Sequence, residues 1–174
     1  LLFVRSPRAA TMEIWALNED GTSEPLVDSK FANFCPRFDP TGEYFAYVSN
    51  ESGRWEIYLK PFRKPGRRIQ VSIDGGTDPV WAPDGSELFY RNGDTLMAVP
   101  IEHKQRIVVG QPAPLFDFPF GPKVSVYSPN FDIHPDGDRF VVTETTADTR
   151  GATELVVVTN FCEELNRLLP PDQT

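Results

Sequence analysis

The sequence predicts an all-β fold, in which four-stranded antiparallel units stand as the blades of a partial β-propeller, followed by a short C-terminal helix. Three observations predict it. A Pro-Asp-Gly type of turn recurs in register, short apolar strands flank every copy, and helical periodicity is absent until the end of the chain.

The repeat is read from Asp39-Pro40-Thr41-Gly42, Ala82-Pro83-Asp84-Gly85 and His134-Pro135-Asp136-Gly137. Proline presets φ at the second position of a type I turn, and glycine supplies the left-handed residue that closes a tight hairpin. Pro40, Gly42, Pro83, Asp84, Gly85, Pro135, Asp136 and Gly137 are therefore expected as structural turn residues. Each turn joins two strands: Cys35 to Phe38 with Tyr44 to Ser49, Pro79 to Trp81 with Glu87 to Arg91, and Asn130 to Ile133 with Arg139 to Thr143. A third strand follows at Trp55 to Lys60, Thr95 to Ile101 and Glu154 to Thr159, and a fourth is expected at Arg68 to Ser72 and Ala113 to Phe116.

Leu1 to Arg5, Met12 to Leu17 and Ser23 to Val27 match the later strands of such a unit, so the chain is expected to open inside a blade. The resulting division is 1–34 for an incomplete blade, 35–78 for a blade, 79–129 for a blade with an inserted loop, 130–160 for the last blade and 161–174 for helix and tail. The repeat step is 43 residues from Pro40 to Pro83 and 52 from Pro83 to Pro135. The excess falls between Phe116 and Ser128, where Pro119, Gly121 and Pro122 argue for a loop. At the end, Phe161, Leu165, Leu168 and Leu169 share one helical face, Asn160 is placed to cap it and Pro170 to stop it.

The 174 residues suffice for a core, and a net charge of -8 makes nucleic acid an unfavoured partner. The basic run Arg63, Lys64, Arg67 and Arg68 surrounds Pro65-Gly66 and reads as a solvated loop. No apolar stretch approaches the about 18 residues of a membrane helix, so no direct membrane contact is expected of this segment. Cys35 and Cys162 lack metal-ligand spacing and read as small core residues, with a disulfide or reactive thiol as the open alternative.

Catalytic patterns are wanting. No G-x-S-x-G occurs, His134 occupies a turn position, and His103 lies in a polar turn beside Lys104. Asp84 and Asp136 recur in turns, where a carboxylate accepts hydrogen bonds from backbone N–H groups. Asn18-Glu19-Asp20-Gly21 lacks the ligand alternation of a calcium loop, and Gly75-Gly76 lacks the lysine and helix of a phosphate loop. No catalytic residue, metal or cofactor is assigned. Trp15, Trp55, Trp81, Phe45, Phe89 and Phe140 are expected to pack between adjacent blades.

The pattern P-x-W-x-P-D-G-x-x-L-x-Y, seen from Pro79 to Tyr90, resembles the WD-like propeller repeat of TolB and its relatives. The stretches Gly75 to Ile101 and Val156 to Leu165 resemble the C-terminal blades of propellers that follow kinase domains in bacterial serine/threonine kinases. These resemblances imply a partner-binding or sensing propeller in a periplasmic or otherwise extracytoplasmic setting. Two departures stand out: Thr41 replaces the turn aspartate, and the first unit lacks its leading strand and turn.

A propeller closes with about four to eight blades. Three blades and part of a fourth are therefore expected to pair through their open ends, with missing blades or another copy. The expected function is a non-catalytic interaction module for a protein, peptide or small ligand. Its candidate contact loop is the insertion bearing Phe118, Phe120, Lys123 and Tyr127. The alternative is the gating propeller of a prolyl-oligopeptidase-like hydrolase.

Overall fold

The computed structural model describes residues 1–120, 129–143 and 156–158. Within them the chain forms successive antiparallel sheets, each a propeller blade. Blade 1 contains β1 (Leu2–Arg8), β2 (Thr11–Leu17) and β3 (Ser23–Val27). Blade 2 runs in the order β4 (Asn33–Phe38), β5 (Tyr44–Ser49), β6 (Glu56–Pro61) and β7 (Ile69–Gln70). Blade 3 runs β8 (Thr77–Trp81), β9 (Glu87–Asn92) and β10 (Thr95–His103), and its outer edge carries both β11 (Ile107–Val109) and β12 (Ala113–Asp117). Blade 4 holds β13 (Phe131–Ile133), β14 (Phe140–Val142) and β15 (Val156–Val158). The described residues include no helix; the helix expected from 161 onward and Cys162 lie outside them.

The recurring turn has one geometry. The N–H groups of Gly42, Gly85 and Gly137 donate to the carbonyls of Asp39, Ala82 and His134 at 2.9, 2.9 and 2.8 Å. Each glycine is left-handed, with φ of 70°, 75° and 81°. The hairpin closes where Asp39, Ala82 and His134 donate to the carbonyls of Tyr44, Glu87 and Arg139. In the copies with aspartate, Asp84 Oδ1 accepts the Ser86 N–H at 2.9 Å and Asp136 Oδ1 accepts the Asp138 N–H at 3.1 Å. Where Thr41 stands instead, its hydroxyl accepts the Glu43 N–H and donates to Asp39, whose other oxygen takes the Tyr44 N–H. Two residues thus divide what one aspartate does elsewhere.

Blades 2 and 3 also share a kink in their innermost strands. Cys35 and Asp78, each before a proline, have φ of 52° and 58°, and both ladders slip there. In blade 4, Phe131 occupies the proline's place and the pairing is regular. A bulge of this kind bends a strand and re-aims the side chains after it.

Strand alternation decides which neighbour each side chain meets. Phe45 and Tyr47 join Ile14 and Tyr58 in the seam between blades 1 and 2. Their alternates Ala46 and Val48 join Ile57, Leu59, Trp81, Leu88, Tyr90 and Val99 in the seam between blades 2 and 3. Phe89, between Leu88 and Tyr90, points the other way and packs with Phe131, Phe140 and Val142 of blade 4. Near-continuous burial along β5 and β6 follows, because both faces of an interior blade are covered.

Two expectations are corrected and one is extended. Trp55 is 40% exposed and meets the edge of Phe34, with ring centres 5.0 Å apart, because it precedes β6 and escapes the sheet's alternation. Trp15 is half-buried under the Arg5 guanidinium and donates to Glu13, since it alternates with Ile14, the residue that faces blade 2. The expected fourth strand of blade 3 is present as β12, and the outer edge holds one more: β10 pairs β12 through residues 95–98 and forms a hairpin with β11 through residues 101–103.

Candidate functional site

The inner strands β4, β8 and β13 place one repeat position, residues 37, 80 and 132, around a common hollow of about 470 Å³. Its floor is apolar, from Val80, Trp81 and Phe131, all buried, with Phe38 beside them. Its rim is polar. Arg37 and Asp132 are exposed there, and Asn130 is buried at its edge.

Hydrogen bonds hold these walls. The Trp81 indole N–H donates to the Arg37 carbonyl at 3.2 Å, tying blade 3 to blade 2. Thr143 donates its hydroxyl to the Asn130 carbonyl at 3.0 Å, and Asp132 Oδ1 accepts the Ile133 N–H at 2.9 Å. The Arg37 guanidinium has no ion-pair partner among the described residues. One cation and one anion therefore stand over an aromatic cup, an arrangement suited to a side chain or short segment of mixed polarity. The repeat alone could have found this site, because residues 37, 80 and 132 hold the variable place between the inner strand's aromatic or aliphatic neighbours.

The residues proposed from sequence are distributed differently. Phe120 is fully buried, against Phe118 and Phe131 and beneath the Arg91 guanidinium at 5.1 Å. Phe118 is half-buried beside it, and Lys123 and Tyr127 lie outside the described residues. The turns of blades 2 and 3 come together: a Cβ on Gly85 would lie 3.3 Å from both His103 Nε2 and Pro40 Cδ. His103, at the end of β10, sits 3.2 Å from the Gly85 carbonyl and 3.8 Å from Asp39, which ties it to both turns.

Backbone and side-chain hydrogen bonds from Ser86 hold the Asp84 carboxyl below the usual range. Asp136 is held at about 2, first by its hydrogen bond from Arg139. In the basic run, Arg63 pairs with Glu24, Lys64 with Glu43, and Arg68 with Glu51. Among the described residues no group of three or more His, Cys, Asp or Glu side chains converges to hold a metal ion.

No family model matches the chain, and no curated protein matches it. Solved structures do. A functionally unknown protein from Desulfotomaculum acetoxidans superposes with a TM-score of 0.59 at 14% identity, over 87% of this chain and 48% of that one. TolB from Acinetobacter baumannii gives 0.46 at 13% identity, over 91% and 52%, and a candidate 6-phosphogluconolactonase from Bacteroides uniformis gives 0.49 at 16%, over 86% and 48%. The first likeness is one of fold. The chain spans about half the length of each of these structures.

Proposed function

We propose that the chain is a non-catalytic propeller module that binds a peptide segment of a partner protein at its axial hollow. The observation that carries this reading is the convergence of Arg37, Val80 and Asp132 from three blades over the Trp81 and Phe131 floor. Rigid blades with variable residues at one repeated position make a binding frame. The non-catalytic part rests on the sequence, in which no G-x-S-x-G occurs and both histidines read as turn residues. An extracytoplasmic setting belongs to the same proposal and rests on the TolB-like repeat.

The test is selection of a phage-displayed peptide library on the purified chain, followed by titration of enriched peptides against Arg37→Glu and Asp132→Lys. Enriched peptides should bind the native chain and lose about tenfold or more in affinity with either variant. A library that yields no enriched sequence, or peptides that bind both variants equally well, would overturn the reading.

A further inference from the structure

The seam between blades 1 and 2 opens on its outer side into a second groove, of about 660 Å³. Its walls are apolar, from Leu26 at the end of β3 and the ring of Tyr47 on β5. Its charged groups are Lys60, Arg67 and Arg68, against Asp28 and Glu51.

These charges do not cancel in place. Arg68 and Glu51 neutralise each other across 2.6 Å, with Glu51 largely covered. Among the described residues Lys60 donates only to the Leu26 carbonyl, which satisfies one N–H and leaves the charge uncompensated by them. Arg67 has no ion-pair partner among the described residues. Lys60 and Arg67 therefore face the groove against Asp28 alone, in a protein whose net charge is -8.

Tyr47 supplies an independent observation. The residue is 1% exposed and lines the groove beside Lys60 and Arg68. A phenol hydroxyl at a groove wall is a donor that a bound anion can accept from. Burial, with the Arg68 charge second, also holds the Lys60 ammonium below its ordinary value. An anion in the groove would favour the charged ammonium again.

We propose that this groove binds a small organic anion, its carboxylate or phosphate oxygens meeting Lys60, Arg67 and the Tyr47 hydroxyl while its apolar body lies against Leu26 and the Tyr47 ring. Both anions offer the same acceptor chemistry. Phosphate, with its higher charge, gains more from two cations, and a carboxylate fits the single excess charge left after Asp28. The site is separate from the axial hollow and stands or falls apart from it.

The test is calorimetric titration of the full chain, at low salt, with phenyl phosphate, benzoate and benzyl alcohol. Either anion should bind, the tighter one identifying the headgroup, and the neutral alcohol should not. Arg67→Gln should weaken anion binding by about tenfold and Tyr47→Phe by a smaller factor, with melting temperatures near that of the native chain. Lys60→Met should abolish binding; because Lys60 also ties down Leu26, Arg67→Gln decides the matter if that variant unfolds. Absence of anion binding, equal binding of benzyl alcohol, or unchanged affinity in both Arg67→Gln and Tyr47→Phe would overturn the proposal.

Discussion

The seam between blades 2 and 3 and the seam between blades 1 and 2 are built from the same repeat and differ in what fills them. In the first, Leu59, Leu88, Val99 and Ile57 are fully buried and close on Trp81 and Tyr90. In the second, Phe45, Tyr47 and Ile14 make a smaller core, and the outer part holds Lys60, Glu51 and Arg68 around a groove. One seam invests its residues in cohesion and the other leaves room for a ligand. Burial on both faces makes the interior blades the stable unit, and the open groove lies where that burial stops.

The largest test of this contrast uses tryptophan. Trp81→Ala removes a ring that is 8% exposed and the hydrogen bond to Arg37, and should cost about 3–5 kcal/mol in urea unfolding. Trp55→Ala removes a ring that is 40% exposed and should cost about 1 kcal/mol or less. Equal losses would show that the two rings share a role and that the contrast is misplaced.

A smaller difference is expected between leucines. Leu59→Ala opens a cavity in the seam of blades 2 and 3 and should cost about 2–5 kcal/mol. Leu26→Ala, on the groove side, should cost about 1 kcal/mol, because its site is already partly open to solvent. A Leu26→Ala loss as large as that of Leu59→Ala would mean that the groove closes in solution.

Much of the fold was legible because the turn chemistry is local. Proline and glycine at fixed places locate the hairpins, and strand alternation by itself assigns Phe45 and Ala46 to opposite faces of their blade. The rest depends on what lies across a seam. Trp55 resembles the other tryptophans in sequence, yet it precedes its strand, so its ring misses the core. The insertion was visible as excess length, whereas the burial of Phe120 depends on Phe131 and Arg91, which length does not report. Thr95 to Ile101 reads as one strand, and only the partner strands reveal that it serves two. The axial hollow was legible only through the repeat: Arg37, Val80 and Asp132 share a place in it and no chemistry.

The turns extend the comparison to blades 3 and 4 on a finer scale. Gly85→Ala would place a methyl 3.3 Å from His103 and Pro40 in a left-handed residue, whereas Gly137→Ala meets nothing within 4 Å. Both substitutions should cost about 1–2 kcal/mol for the backbone conformation. Gly85→Ala should cost measurably more in the same unfolding experiment, through crowding between the turns of blades 2 and 3. Identical losses would show that those turns separate in solution.

The smallest effect is electrostatic and belongs to the turn of blade 4. Asp136 is held at about 2 in the folded chain, against an ordinary value of 3.8, chiefly by the Arg139 hydrogen bond. A folded-state carboxyl with a lowered pKa contributes stability that is complete above the unfolded value and is lost as pH falls through the folded one. The contribution of Asp136 should therefore fade between about pH 4 and pH 2. Because the carboxylate is exposed and screened, the change should be small beside the losses in the apolar seams. Carbon-detected NMR titration of the Asp136 carboxyl reads it directly, and Arg139→Gln should raise the midpoint toward 3.8. An unmoved midpoint would assign the shift to the Asp138 N–H and the His134 side chain instead. The aspartate would then act in blade 4 as Asp84 does in blade 3, without help from an arginine.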